Sequence, residues 1–153
     1  MQLDILKTPS GFLKLLEIAF TIIIISVIGG VKDFTFIYVG EQRAIFYGGV
    51  MVMAMVVTPL LLVTYLLGHA TEMHKMPFEM LFNAVLAVFM VSAGVVITDT
   101  SFKLNERDQD IDMSVFSKAA DAGKTAGSFA VINGVIYGLD TFVAKQIMDR
   151  ETE

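Results

Sequence analysis

The sequence predicts an all-α integral membrane protein, a single four-helix bundle occupying residues 1–153. Three observations carry this reading. The hydrophobic fraction is 55% and the charged fraction 18%, displaced from the roughly 45–50% and 25% of soluble domains. Four segments are long enough to cross a hydrocarbon core of about 30 Å, which takes roughly 20 apolar residues in a helix. The middles of the first three also lack the regularly spaced polar residues by which a soluble amphipathic helix presents a wet face.

Span one, residues 12–31 (FLKLLEIAFTIIIISVIGGV), carries Lys14 and Glu17 in its first turns and is otherwise apolar. No small-residue cleavage site follows it, and it runs too far for the apolar core of a signal peptide, so it reads as an uncleaved first span. Span two, residues 45–68, contains Pro59. Lipid-embedded helices hold a proline where neighbours take up the freed carbonyl, and a kink is expected at Thr58–Pro59. Span three, residues 78–98, follows Pro77, which suits a helix start. The intervening HATEMHKMPFE is short enough to demand a tight connection. Span four, about residues 119–144, is less apolar than the others and holds most of the information.

On a helical projection Gly123, Gly127, Ala130, Gly134 and Gly138, continued by Thr141, form one stripe of small side chains. Membrane helices gain little by burying leucine against leucine, because lipid is equally apolar; they associate through close backbone approach, which small residues permit. These five positions are therefore the expected helix-packing face. Asn133, Tyr137 and Asp140 occupy the adjoining face at i, i+4 and i+7. A carboxylate within a span is costly, and Lys14 and Glu17 lie at a similar depth. Asp140 is thus expected to pair with Lys14, or to accept backbone N–H bonds, and so to lock span four against span one. The alternative is that Asp140 reaches out to the headgroups beside Thr141.

Four spans put both termini on one side. The terminal side holds Lys7, Lys14, Lys75, Lys145 and Arg150; the opposite side holds Lys32, Arg43, Lys103, Arg107, Lys118 and Lys124. The positive-inside rule therefore discriminates little, with Lys7, Lys14 and the α-amine tilting toward cytoplasmic termini. The two loops on the opposite, extracellular side share a short alternation: Phe34, Phe36 and Tyr38 in one, Phe102 and Leu104 in the other. That pattern admits a small β-element there.

Other functional classes find little support. A net charge of −5 without a basic cluster argues against nucleic acid as a partner. With no Cys there are no disulfides, thiolate metal ligands or catalytic thiols. Met51, Met53 and Met55 share the Met-x-Met spacing of copper-handling segments, but on a helix three such thioethers cannot converge. His69 and Met73 are a conceivable soft-ligand pair without the further ligands a site requires. DQDID places Asp108, Asp110 and Asp112 as in a calcium loop, yet Met113 stands where the turn glycine belongs and Ala119 where the bidentate glutamate belongs. No arrangement of nucleophile, base and carboxylate emerges. The expectation is a non-enzyme with no cofactor and no metal.

The layout resembles the MARVEL-type four-span proteins, with short loops, both termini on one side and a polar-flanked first helix. Thr8 to Ser26 (TPSGFLKLLEIAFTIIIIS) is similar to the start of the synaptophysin-like members. Gly127 to Ala144 (GSFAVINGVIYGLDTFVA) is similar to the last span of snakeskin, the small four-span protein of insect smooth septate junctions. There Gly127, Ser128, Val131, Ile132, Gly134, Tyr137, Leu139, Asp140, Thr141 and Ala144 carry the likeness. The resemblance implies a structural, scaffolding membrane protein at the plasma membrane, organising cell–cell junctions or membrane apposition, with cytoplasmic termini. Its partners would be membrane lipids and other membrane proteins, or a second copy, met through span four and the extracellular loops. Vesicle trafficking, or service as an auxiliary subunit of a larger channel, transporter or pump, remain the alternatives. The chain departs from the synaptophysin-like pattern in lacking loop disulfides, and from claudins in lacking both Trp and Cys.

Overall fold

The computed structural model describes residues 3–30, 41–74, 76–106 and 113–152. A short 3-10 turn, Leu3–Lys7, leads into α1 (Pro9–Gly29). Thr8 caps α1, its side chain accepting from the Gly11 amide at 3.3 Å, and Pro9 fills a first-turn position where its missing N–H costs nothing. Helix α2 (Glu41–Thr64) continues through a bend, Tyr65–His69, into the short α3 (Ala70–His74). Then come α4 (Phe78–Glu106) and α5 (Met113–Thr152). Four of these segments are long and apolar enough to cross a membrane, and among the described residues no strand occurs. The molecule is an all-α membrane bundle.

Several boundaries differ from the sequence reading. α4 has 29 residues and α5 has 40, lengths of about 44 and 60 Å at 1.5 Å per residue. Both exceed the roughly 30 Å of a hydrocarbon core, and no proline stands in either extension to stop it. Most of the expected loop after span three is consequently helix. Phe102 and Leu104 lie on α4, so their alternation is no strand; Phe34, Phe36 and Tyr38 fall outside the described residues, as do Asp108, Asp110 and Asp112.

The connection between spans two and three is a compact turn of helix rather than a bare link. Pro59 stays inside α2. Among the described residues a departure from helical backbone comes at Gly68, whose φ of 95° breaks the run between α2 and α3. Glycine alone enters that left-handed region without steric cost. The bend thus belongs to the residue that loses nothing by making it.

Packing is dominated by α4 against α5 and α1 against α5. At the α4–α5 contact a Cβ added to Gly127 would meet Gly94 O at 2.8 Å and the Thr98 hydroxyl; one added to Gly134 would meet Val91 Cγ2 at 2.7 Å and Ala87 O at 3.0 Å. Gly94 reciprocates, its added Cβ falling 2.7 Å from Gly127 O. Backbone meets backbone here, the geometry small residues make available to membrane helices. The apolar core is built from Ile24, Ala44, Tyr47, Val50, Met51, Ala54, Leu86, Met90, Ala93, Ile97, Ala126 and Ala130. Outward-facing side chains such as Ile45, Val52, Leu60, Val88, Val95, Val135 and Phe142 are large, apolar and exposed, a surface suited to lipid.

Candidate functional site

At the terminal end of the bundle, polar side chains from every span turn inward. Lys14 and Glu17 lie on consecutive turns of α1, Glu79 and Asn83 at i and i+4 in the first turns of α4, and Asp140 on α5; all five are 0–1% exposed. Lys14 is the hub. Its Nζ donates to Asp140 Oδ2, to Asn83 Oδ1 at 2.8 Å and to Glu17 Oε2 at 3.3 Å, and lies 3.9 Å from Glu79 Oε1. Asn83 Nδ2 donates to the same Asp140 Oδ2 at 2.8 Å. Asn83 therefore clips the ammonium to the carboxylate by using both ends of its amide. Tyr65, at the bend after α2, is fully buried in the same region, beside Glu79 and Ser10.

A second, uncharged layer sits one turn deeper. Thr21 donates to Glu17 O at 2.7 Å, and Asn133 Nδ2 donates to Thr21 Oγ1 at 3.1 Å and Glu17 O at 3.3 Å. The Thr58 and Tyr137 hydroxyls share a hydrogen bond of 2.7 Å, joining α2 to α5. Beyond these the interior becomes the apolar core.

The sequence-predicted polar residues are thus placed together: Lys14, Glu17 and Asp140 in one layer, Asn133 and Tyr137 in the next. Asp140 is fully buried rather than turned out to the headgroups. Of the small-residue face, Gly123, Gly127, Ala130 and Gly134 are buried, but Gly138 is exposed with nothing within 4 Å of an added Cβ. The buried face of α5 continues through Asn133, Tyr137, Asp140 and Ala144, and Gly138 lies outside it. Glu79, Asn83 and Tyr65 were not foreseen. The i, i+4 pair of polar residues opening an otherwise apolar span was the available signal for the first two, since it repeats the Lys14–Glu17 situation at matching depth.

Chemically the layer cross-links helices. A lone buried charge is very costly, and an ion pair that satisfies its hydrogen bonds offsets much of that cost. Among the described residues no group of three or more His, Cys, Asp or Glu side chains is arranged to hold a metal ion. At the opposite end the charges are half-exposed and peripheral: Asp99 Oδ2 accepts from Arg43 and Lys103, each at 2.8 Å. Such surface pairs contribute little, about 0–1 kcal/mol.

Comparison with known families adds one match. The family model MARVEL, described as a membrane-associating domain, covers residues 5–143, which takes in the first three spans and most of the fourth. No curated protein and no solved structure matches the chain.

Proposed function

Because the chain belongs to the MARVEL family of membrane-associating domains, we propose that it is a non-catalytic structural component that organises membrane at septate-type cell–cell junctions. The observation that carries this reading is the inward turn of the polar groups. Lys14, Glu17, Glu79, Asn83 and Asp140 are spent on one another, while the side of the bundle offers lipid an apolar wall. A transport path usually displays ionisable groups at several depths; here the buried charges share one layer, and the core beyond it is apolar. What such a bundle has left to recognise partners with is its two ends. The likeness of Gly127–Ala144 to the last span of snakeskin favours junctions over vesicles, and the termini are assigned to the cytoplasm on the same ground.

The test is a tagged copy expressed in a polarised epithelium. Enrichment at lateral contacts, lost when residues 32–43 and 99–118 are replaced, is the expected result. Intracellular puncta indifferent to those replacements would assign the protein to vesicle trafficking. Co-purification with one large membrane partner at fixed ratio would make it an auxiliary subunit.

A further inference from the structure

The seam between α4 and α5 is tight at its floor and open on its outer side. There it holds a groove of about 370 Å³, lined by Ala87, Val88, Val91 and Ser92 of α4 and by Gly134 and Val135 of α5. Its rims, Val88 and Val135, are apolar and exposed. The polar side chain in the lining is engaged within its own helix, the Ser92 hydroxyl donating to Val88 O at 2.8 Å. The groove therefore offers an apolar molecule shape and contact, and a polar one little.

The groove has a direction. At about 100° per residue, Gly134 and Val135 bound a sector of α5 that also contains, toward the terminal side, Gly138, Phe142 and Lys145. Gly138 is exposed, and nothing stands within 4 Å of a Cβ added to it, so the helix surface stays hollow for a further turn. Phe142 is exposed and flanks that hollow, and Lys145 is exposed beyond it. A rise of 1.5 Å per residue puts Lys145 about 16 Å from Gly134. That distance is one leaflet of a hydrocarbon core of about 30 Å. A cation at the interface, with an apolar channel one leaflet deep behind it, reproduces the order of a glycerophospholipid: phosphate outside, acyl chain within.

We propose that this seam is a lipid site, seating one acyl chain of a glycerophospholipid from the terminal-side leaflet with the phosphate on Lys145. Asp149, about 6 Å farther out, adjoins the headgroup beyond the phosphate. A chain in the groove touches protein on three sides, where a chain on the flat wall touches it on one, and the added dispersion contacts retain it. A second copy of the protein fits less well: a standard interface engages about 20–30 residues a side, and this groove supplies six. A sterol brings a neutral hydroxyl to a place where Lys145 favours an anion. The site goes beyond the structural role proposed above and is independent of which cell membrane holds the bundle.

The experiment uses the full chain in an uncharged glycoside detergent, with phosphatidylcholine carrying a photoactivatable diazirine at the end of one acyl chain. Labelling is expected to concentrate on residues 87–92 and 131–138. Unlabelled phosphatidylcholine should displace the probe about fivefold better than a diacylglycerol of the same chains, as one interfacial cation on a phosphate implies. Gly138→Leu, which fills the path, should abolish labelling of the seam, while Gly49→Leu, at an equally open position on α2, should leave it intact. Lys145→Gln should bring the two competitors level, and this arm decides even if Gly138→Leu fails to fold. Label spread evenly over the exposed residues of all four spans would mean a lipid coat only and overturn the site. Diacylglycerol competing as well as phosphatidylcholine against the wild type would overturn the role of Lys145. Cholesterol displacing the probe better than either, or cross-links joining two copies at the seam, would overturn the choice of occupant.

Discussion

Asn83 shows how a neutral side chain can decide the worth of charged ones. Its amide accepts from Lys14 and donates to Asp140, each at 2.8 Å, so the ammonium and the carboxylate are held at the orientation that satisfies both. Removing one member of a buried pair leaves the other unpaired and costs about 3–5 kcal/mol. Lys14→Met is accordingly expected to destabilise the bundle by that order, measured by unfolding in mild detergent. Combining it with Glu17→Gln, Glu79→Gln and Asp140→Asn should recover most of the loss, because no buried charge then remains among the described residues. Asp140→Asn alone should cost clearly more than Glu17→Gln, since Asp140 Oδ2 is the acceptor Lys14 and Asn83 share. Equal losses for those two variants would contradict the hydrogen-bond hierarchy described above.

Among the helices, α5 is the organising element: one face packs backbone to backbone on α4, and the next brings Asn133, Tyr137 and Asp140 to α1 and α2. Adding a side chain at the tight contact forces overpacking, which costs about 1–3 kcal/mol. Gly127→Leu and Gly134→Leu should lower the detergent unfolding midpoint by that order, whereas Gly138→Leu should leave it unchanged, nothing standing within 4 Å of its Cβ. The difference between these glycines also marks the reach of sequence reasoning. A helical projection of α5 exposes its small stripe and its polar edge, because both follow from a period of 3.6 residues. The stripe was carried one step too far: two four-residue steps from Ala130 overshoot two turns by about 80°, which takes Gly138 off the buried face. Gly94 was hidden for the complementary reason: a lone glycine in an apolar span has no period, and only the partner helix reveals that Gly127 lies against it. Glu79 and Asn83 were legible as polar intrusions, but their destination depended on α4 crossing α1 and α5 at one depth, a tertiary fact. Pro59 stays within α2, as lipid-embedded helices allow; the bend at Gly68 was not foreseen.

For the whole molecule, four apolar helices of membrane length put the Leu3–Lys7 turn and the end of α5 on one side, with the start of α2 and the end of α4 on the other. The chain contains no native cysteine, so single introduced thiols report sidedness without background. Asp4→Cys and Asp149→Cys are expected to react with an impermeant maleimide from the same face of the membrane, and Gln42→Cys and Lys103→Cys from the opposite face. All four positions are exposed. Labelling of Asp4→Cys and Asp149→Cys from different faces would refute an even number of crossings. The same sided reagent, applied to intact cells, assigns the terminal face to cytoplasm or exterior.

The continuity of α5 has a mechanical meaning. From Asp140 to its last residue, Thr152, the rod runs about 18 Å without proline or glycine, hence without a joint. Torque applied to that stem by anything gripping it arrives undamped at the carboxylate, and α1 and α4 feel the twist through Lys14 and Asn83.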